Sequence, residues 1–322
     1  MKKIAIIGSG LSGLILAHQL QDIAEVTVFE KARGVGGRLA TRYACEFEFD
    51  HGAQYFTIES QAFQEFIQPL REQGVVKIWN ARFIEFEGVD ICQRKHWSQH
   101  QPHYVAVPKM NSMAKYLAED MKVELKIKID KLIPQDNLWM LQDHTLQLHG
   151  PFDWVLSTAP WPQTKHLFPK NIAFNLTPMQ ACYALMLGFN KPLHLDWDVA
   201  SIRNTCLGWI SVNSSKPGRG DSQSLVVLST NDWADAHLDA DKEWVISKML
   251  KELHHYVHLS PIHVDLHCWR YAKSINLTEE HIYLNQSLRL GACGDWSIGG
   301  RVECAFLAGM QLAKQLMELI VE

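Results

Sequence analysis

The stretch Ile4-Ala5-Ile6-Ile7-Gly8-Ser9-Gly10-Leu11-Ser12-Gly13 decides the fold. Its first four residues are continuously apolar and largely β-branched, the pattern of a strand covered on both faces. Glycines at 8, 10 and 13 then turn the chain. Leu11, Leu14, Ile15, Ala17 and Leu20 follow at helical spacing, and Val26, Val28 and Phe29 form a second apolar run that ends at Glu30. Residues 3–30 therefore read as one strand–helix–strand unit with parallel strands and a right-handed crossover.

A G-x-G-x-x-G pattern between strand and helix has a chemical reason. The chain must turn sharply, let a pyrophosphate approach the backbone and pack the helix against the strand, leaving the helix amino-terminal N–H groups aimed at the anion. Glu30 stands 20 residues after Gly10, where a carboxylate accepts hydrogen bonds from a ribose hydroxyl. Gly8, Gly10, Ser12, Gly13 and Glu30 are thus candidate dinucleotide contacts.

The next residues, Lys31-Ala32-Arg33-Gly34-Val35-Gly36-Gly37-Arg38, favour one dinucleotide. Gly37 and its neighbours suggest a second close approach of backbone to phosphate or ribose, Arg38 supplies a bidentate guanidinium, and Lys31 follows the Glu30 carboxylate expected to receive the ribose. A flexible surface loop is the competing reading. Near the other end, a strand over 288–292 runs into Cys293-Gly294-Asp295, and Gly299-Gly300-Arg301-Val302 heads a closing helix marked by Ala305, Phe306, Gly309, Leu312 and Leu316. Asp295 can accept from a polyol hydroxyl. The helix amino terminus at Arg301 and Val302 suits a group that becomes anionic on reduction, as a flavin does. The expected cofactor is FAD, bound noncovalently because no cysteine attachment segment is evident.

Elsewhere, helices are expected at 60–74, 110–121 and 241–257, the last with acidic residues at its start. Strands are expected within 77–93, over Val123–Ile133 as one alternating run, and at 154–156, 183–189, 225–229 and 263–269. Asn213 to Asp221 (NSSKPGRGD) is the most loop-like stretch.

Composition narrows the function. The 322 residues carry 31 Lys and Arg against 35 Asp and Glu, a net −4 with no basic run, which argues against nucleic acid as a partner. Seven scattered cysteines without a Cys-x-x-Cys pair fit reduced thiols in the cytoplasm. The glycines break the apolar amino-terminal run, against a secretory signal, and no run reaches the length of a membrane span. His254 and His258 lie four apart on the expected 241–257 helix but lack a third ligand, so no metal is expected.

These residues carry a resemblance. The opening fingerprint, Gly36-Gly37-Arg38, Ala159-Pro160 and Gly294-Asp295 resemble the FAD domain of the flavin amine oxidase superfamily. Phe49-Asp50-His51-Gly52-Ala53-Gln54-Tyr55-Phe56-Thr57, Cys293-Gly294-Asp295-Trp296 and Arg301-Val302-Glu303 resemble the small bacterial renalases. That resemblance implies an oxidase taking hydride from 2- or 6-dihydro isomers of NAD(P) onto flavin N5, giving β-NAD(P)⁺ and, with molecular oxygen as acceptor, hydrogen peroxide. It implies a cofactor lining of Ser12, Glu30, Arg38, Gln54, Tyr55, Asp295 and Val302, to which Ile129 is added.

Such an oxidation asks chiefly for positioning, with the reacting carbon about 3–3.5 Å from its acceptor. Tyr55, Trp269 and Trp296 are candidate walls and His267 a candidate contact to a carboxamide, core packing being the competing reading for each aromatic. The expected architecture is α/β: a doubly wound, Rossmann-like FAD-binding domain (1–60, 100–160 and 285–322) with an inserted, mostly antiparallel β substrate domain of α+β type (61–99 and 161–284), the active site lying where they meet. Three rivals remain open: a flavin amine oxidase acting on a small amine, a non-catalytic flavin-binding redox regulator, and an NAD(P)-dependent dehydrogenase.

Overall fold

A computed structural model describes residues 1–98, 100–172, 178–258, 260–275 and 282–320. The chain divides into two compact units. The first comprises Met1–Gly37, Met113–Pro178 and Ser274–Glu322; the second comprises Arg38–Ser112 and Met179–Lys273. Residues 38–60 and 100–112 therefore group with the second unit, and 161–178 with the first.

The first unit is built on a six-stranded sheet in the order Tyr283–Asn285, Leu290–Ala292, Trp154–Ser157, Lys2–Ile7, Ala24–Glu30, Val123–Leu125. Five strands run parallel and only Tyr283–Asn285 is antiparallel. The expected first strand–helix–strand unit is present, its helix spanning Leu11–Leu20. Ile4, Ile6, Val28 and Leu156 fill the sheet, and Ala308, Leu312 and Leu316 of the closing helix Val302–Ile320 pack on it with no exposure. A three-stranded antiparallel sheet, Ile129–Gln135, Leu138–Asp143 and Leu148–Phe152, completes this unit.

The second unit holds a seven-stranded sheet in the order His263–Ser274, Met179–Phe189, Gln223–Ser229, Leu207–Val212, Val199–Arg203, Arg82–Glu87, Asp90–His96. Its characterised ladders are antiparallel except that Val199–Arg203 runs parallel to Arg82–Glu87. The helix Lys242–Leu253 packs Val245, Met249 and Leu253 onto it, capped by the Asp241 carboxylate, which accepts from the Glu243 and Trp244 amides. The mixed α/β architecture, a Rossmann-like parallel sheet in one unit and a largely antiparallel sheet in the other, is that expected from sequence.

Several local expectations are corrected. The run Val123–Ile133 is two strands: Lys126 adopts a left-handed conformation (φ 63°), so Val123–Leu125 joins the parallel sheet and Ile129–Gln135 the antiparallel one. The helix expected over 110–121 is a short one, Ser112–Leu117. The helix expected over 241–257 ends at Leu253, so His254 caps it and His258 lies beyond it. The last parallel strand starts at Leu290, after Arg289 turns the chain at φ 53°. Within 213–221, Asn213–Ser215 form a 3₁₀ turn and Lys216 is buried.

Candidate functional site

In the first unit, the turn after the first strand is shaped by backbone proximity. Gly8 takes φ +108°, a conformation costly for residues with a Cβ, and a Cβ on Gly13 would overlap the Gly8 carbonyl oxygen. Gly10 caps the Leu11–Leu20 helix with no side-chain hydrogen bond. A Cβ at Gly10 would meet no protein atom within 4 Å. Among the described residues no side chain accepts from the first amides of this helix, the arrangement that takes an anion.

Glu30 ends the second strand beside this turn. One of its carboxylate oxygens accepts from the Ser9 amide and the Ser9 hydroxyl, both at 2.9 Å, and the other accepts from the Ala32 amide at 2.8 Å. These donors aim the buried carboxylate without filling all its acceptor sites, which leaves it able to receive a ribose hydroxyl. The second glycine stretch returns to the first: Gly36 donates to the Ser9 carbonyl at 2.9 Å, Gly10 bridges Gly36, and a Cβ on Gly37 would stand 3.3 Å from the Gly10 Cα. Lys31 lies at the same strand end, its ammonium donating to Gln163 at 3.2 Å.

The closing helix reaches this region from the other side of the sequence. The Ser12 hydroxyl donates to the Ala305 carbonyl at 2.8 Å, and a Cβ on Gly309 would press the Ser12 carbonyl at 2.7 Å. Asp295 is buried, and its carbonyl accepts the Gly299 and Gly300 amides at 2.8 and 2.9 Å. This fold-back brings the chain to exposed Arg301 and to Val302, the first residue of the closing helix. Trp296 is 1% exposed, and its indole donates to the Ala159 carbonyl at 3.0 Å, so its placement is that of a core residue. Ile129 is buried at the start of its strand. Three separated stretches thus meet in one unit, and the uncapped helix, the free space before Gly10 and the oriented carboxylate fit a dinucleotide.

The remaining candidates belong to the second unit, where a buried ionic cluster sets the chain from Arg38 to Tyr55. The Asp50 carboxylate pairs with Arg219 and Lys216 and accepts from the Thr41 hydroxyl at 2.8 Å and the Met110 amide at 3.0 Å. Burial pushes its pKa up, but the Lys216 and Arg219 charges outweigh this and hold it at about 2. Lys216 is pulled down to about 8 by burial, which Asp50 only partly offsets. Gln54 spends both amide hydrogens locally, on the Asp50 carbonyl at 2.6 Å and the Gly52 carbonyl at 2.9 Å, and its oxygen accepts from Lys216 at 3.2 Å. The Arg38 carbonyl accepts the Ala53 amide at 2.9 Å, and its guanidinium donates to the Ala272 carbonyl at 3.0 Å.

Tyr55 stands among aromatic rings, with centroids of Trp97, His103 and Trp209 at 4.9, 4.8 and 5.6 Å. Burial raises its hydroxyl pKa. His267 and Trp269 form a separate group with His51: ring centroids are 4.3 Å apart for His267–Trp269 and 5.0 Å for His51–His267, and the Trp269 indole donates to the His51 carbonyl at 2.8 Å. His51 is held at about 4, chiefly by burial, with His267 and Arg42 adding to the effect.

Sequence reasoning missed Arg42, Lys216 and Arg219. Lys216 and Arg219 sit in a stretch that reads as a solvated loop, and the counter-charge that lets both be buried comes from Asp50, 166 residues from Lys216. Among the described residues no group of three or more His, Cys, Asp or Glu is arranged to hold a metal, and no helix is long and apolar enough to cross a membrane.

The glycine turn, helix and Glu30 strand form a Rossmann-like strand–helix–strand unit, and residues 6–70 match the family described as the NAD(P)-binding Rossmann-like domain. Solved structures resemble the chain over nearly its whole length. They include a protein from Exiguobacterium sp. 255-15 assigned as a protoporphyrinogen oxidase (TM-score 0.76, 11% identity, 98% of each chain covered). A putrescine oxidase bound to putrescine gives TM-score 0.70 at 11% identity, covering 98% of this chain and 99% of the other. An oxidoreductase from Methanosarcina mazei gives 0.69 at 14%, covering 97% and 100%. At these identities the likeness is one of fold.

Proposed function

We propose that the chain is an FAD-dependent oxidoreductase, and more narrowly a renalase-like oxidase of 2- or 6-dihydro-NAD(P) isomers. The observation that carries the broad reading is the Glu30 carboxylate, oriented by Ser9 and Ala32 beside a helix whose amino terminus no side chain caps among the described residues. The solved structures of like fold named as oxidases support it. The narrower reading is supported by the segments 49–57, 293–296 and 301–303 that resemble the bacterial renalases.

In this reading Gly10, Leu11 and Ser12 hold the pyrophosphate through backbone amides, Glu30 receives the adenosine ribose, and Asp295, Arg301 and Val302 receive the flavin end. Bound FAD would supply a two-electron acceptor that passes its electrons to oxygen, so that substrate hydride and one solvent proton leave as hydrogen peroxide. The chain's residues orient the reactants and exclude water. His51, whose low pKa keeps it neutral near pH 7, adds no charge beside His267 and Trp269.

The first test is the colour of the purified protein: a yellow preparation releasing FAD on denaturation supports the broad reading, and a colourless one favours a nicotinamide-dependent dehydrogenase. The second is anaerobic addition of each dihydro isomer, where bleaching of the flavin band by the 2- and 6-dihydro forms is expected and its absence rejects the narrower reading. The putrescine oxidase likeness favours one alternative, amine oxidation, which bleaching by small amines would select. Absence of turnover with either class would favour a redox regulator.

A further inference from the structure

Arg42, in the short strand Thr41–Ala44, donates from Nη2 to His267 Nδ1 at 3.4 Å. A guanidinium has donors only and keeps its charge at any accessible pH, so this contact requires a lone pair on Nδ1. The neutral ring must then carry its proton on Nε2. The arginine is itself held in place, because its Nε lies 3.8 Å from Asp265, a carboxylate fixed by the Leu266 amide at 2.8 Å and by Lys242 at 3.2 Å.

The surroundings disfavour the imidazolium. Burial lowers the His267 pKa, the Arg42 charge lowers it further, and Asp265 opposes them. Among the described residues, the charged and titratable groups that face the ring are Arg42 from its own short strand, His51 from beyond the strand Phe47–Asp50, and Asp265 on the same strand as His267, with Lys242 reaching Asp265. His267 is half-buried, and among the described residues its Nε2 has no hydrogen-bond partner. Trp269 and His51 rings flank it.

We propose that Arg42 is a positioning residue that locks His267 in the Nε2–H form, making it a fixed hydrogen-bond donor to a carbonyl oxygen on a planar ligand, such as a ring carboxamide. The ligand part rests on the function proposed above; the Arg42–His267 part does not.

Two measurements separate these parts. Long-range ¹H–¹⁵N correlation of histidine-labelled holoprotein should show His267 with an unprotonated Nδ1 and a protonated Nε2. Arg42→Met should mix the tautomers and shift the His267 titration upward, and Arg42→Lys, which restores a cationic donor, should recover much of the original state. A protonated Nδ1 in the unaltered protein, or an Arg42→Met spectrum and titration unchanged from it, would overturn the proposal.

For the ligand, β-NAD⁺ binding should weaken about tenfold in Arg42→Met and in His267→Phe, the scale of one lost hydrogen bond. His267→Asn, which keeps a donor, should lie nearer the original. Unchanged affinity in His267→Phe overturns the donor role. If β-NAD⁺ does not bind the unaltered protein, the functional reading and the ligand part fall together, and the tautomer measurement still decides the role of Arg42.

Discussion

The Asp50 carboxylate and the Lys216 ammonium lie 3.5 Å apart inside the second unit, with side chains 1% and 0% exposed. Arg219 pairs with the same carboxylate, so two buried cations share one anion. Asp50→Asn therefore leaves both without a counter-charge, and a loss of about 3–5 kcal/mol is expected from denaturant titration. Lys216→Met leaves a balanced Asp50–Arg219 pair and should cost far less. Comparable losses in the two variants would show that charge balance is not what holds this cluster.

The same lysine gives a pH signature. Its folded-state pKa of about 8 lies below the ordinary 10.5, so between these values the unfolded chain binds the extra proton and stability rises with pH. Urea midpoints measured from pH 8 to 10.5 should carry this rising contribution, and Lys216→Met should remove it.

Gly10 and Gly13 should separate cofactor binding from folding. Alanine at Gly10 meets no protein atom within 4 Å and the residue's φ of −69° suits it. The variant should fold as stably as the original or gain up to about 1 kcal/mol, yet lose bound flavin because its methyl occupies the space before the helix. Alanine at Gly13 overlaps the Gly8 carbonyl and should lower the melting temperature of the protein stripped of cofactor as well. Flavin retained by Gly10→Ala at the original ratio would refute the assigned phosphate position.

His51 predicts a loss of stability in mild acid. Its pKa is lowered from the ordinary 6.5 to about 4, so the unfolded state takes up a proton over that range while the folded state does not. Stability should fall as pH drops from 6.5 toward 4, and His51→Phe should flatten the fall seen by thermal denaturation.

Trp296 should behave as structure. Replacement by alanine removes a buried indole and one of the two donors to the Ala159 carbonyl, the Thr164 hydroxyl at 3.1 Å remaining, a loss of about 3–5 kcal/mol. Trp296→Phe should keep turnover while costing less stability. A large rise in KM at unchanged melting temperature would instead place this ring against substrate.

The parts of the fold that were legible in sequence are those governed by local pattern. Ile4–Ile7, the glycines and Glu30 announce a strand, a turn and a second strand because their chemistry is complete within thirty residues. The helix Gln61–Glu72 was equally plain, starting where the Ser60 side chain accepts from the Phe63 amide. Lys126 was misread because a single left-handed residue redirects a strand without disturbing its alternation. The 213–221 stretch was misread because polar residues near Gly and Pro read as solvated unless a distant partner is known. Arg42 and His267 are separated by 225 positions, and neither announces the other.

The order of strands in the first unit has a consequence for synthesis. Leu290–Ala292 pairs with Trp154–Ser157, which pairs with Lys2–Ile7, so this sheet cannot close until the ribosome has delivered its last parallel strand. Until then the edge of Trp154–Ser157 keeps its unpaired backbone groups open on the nascent chain, and chaperone shielding or slow translation of the preceding stretch would bear directly on yield.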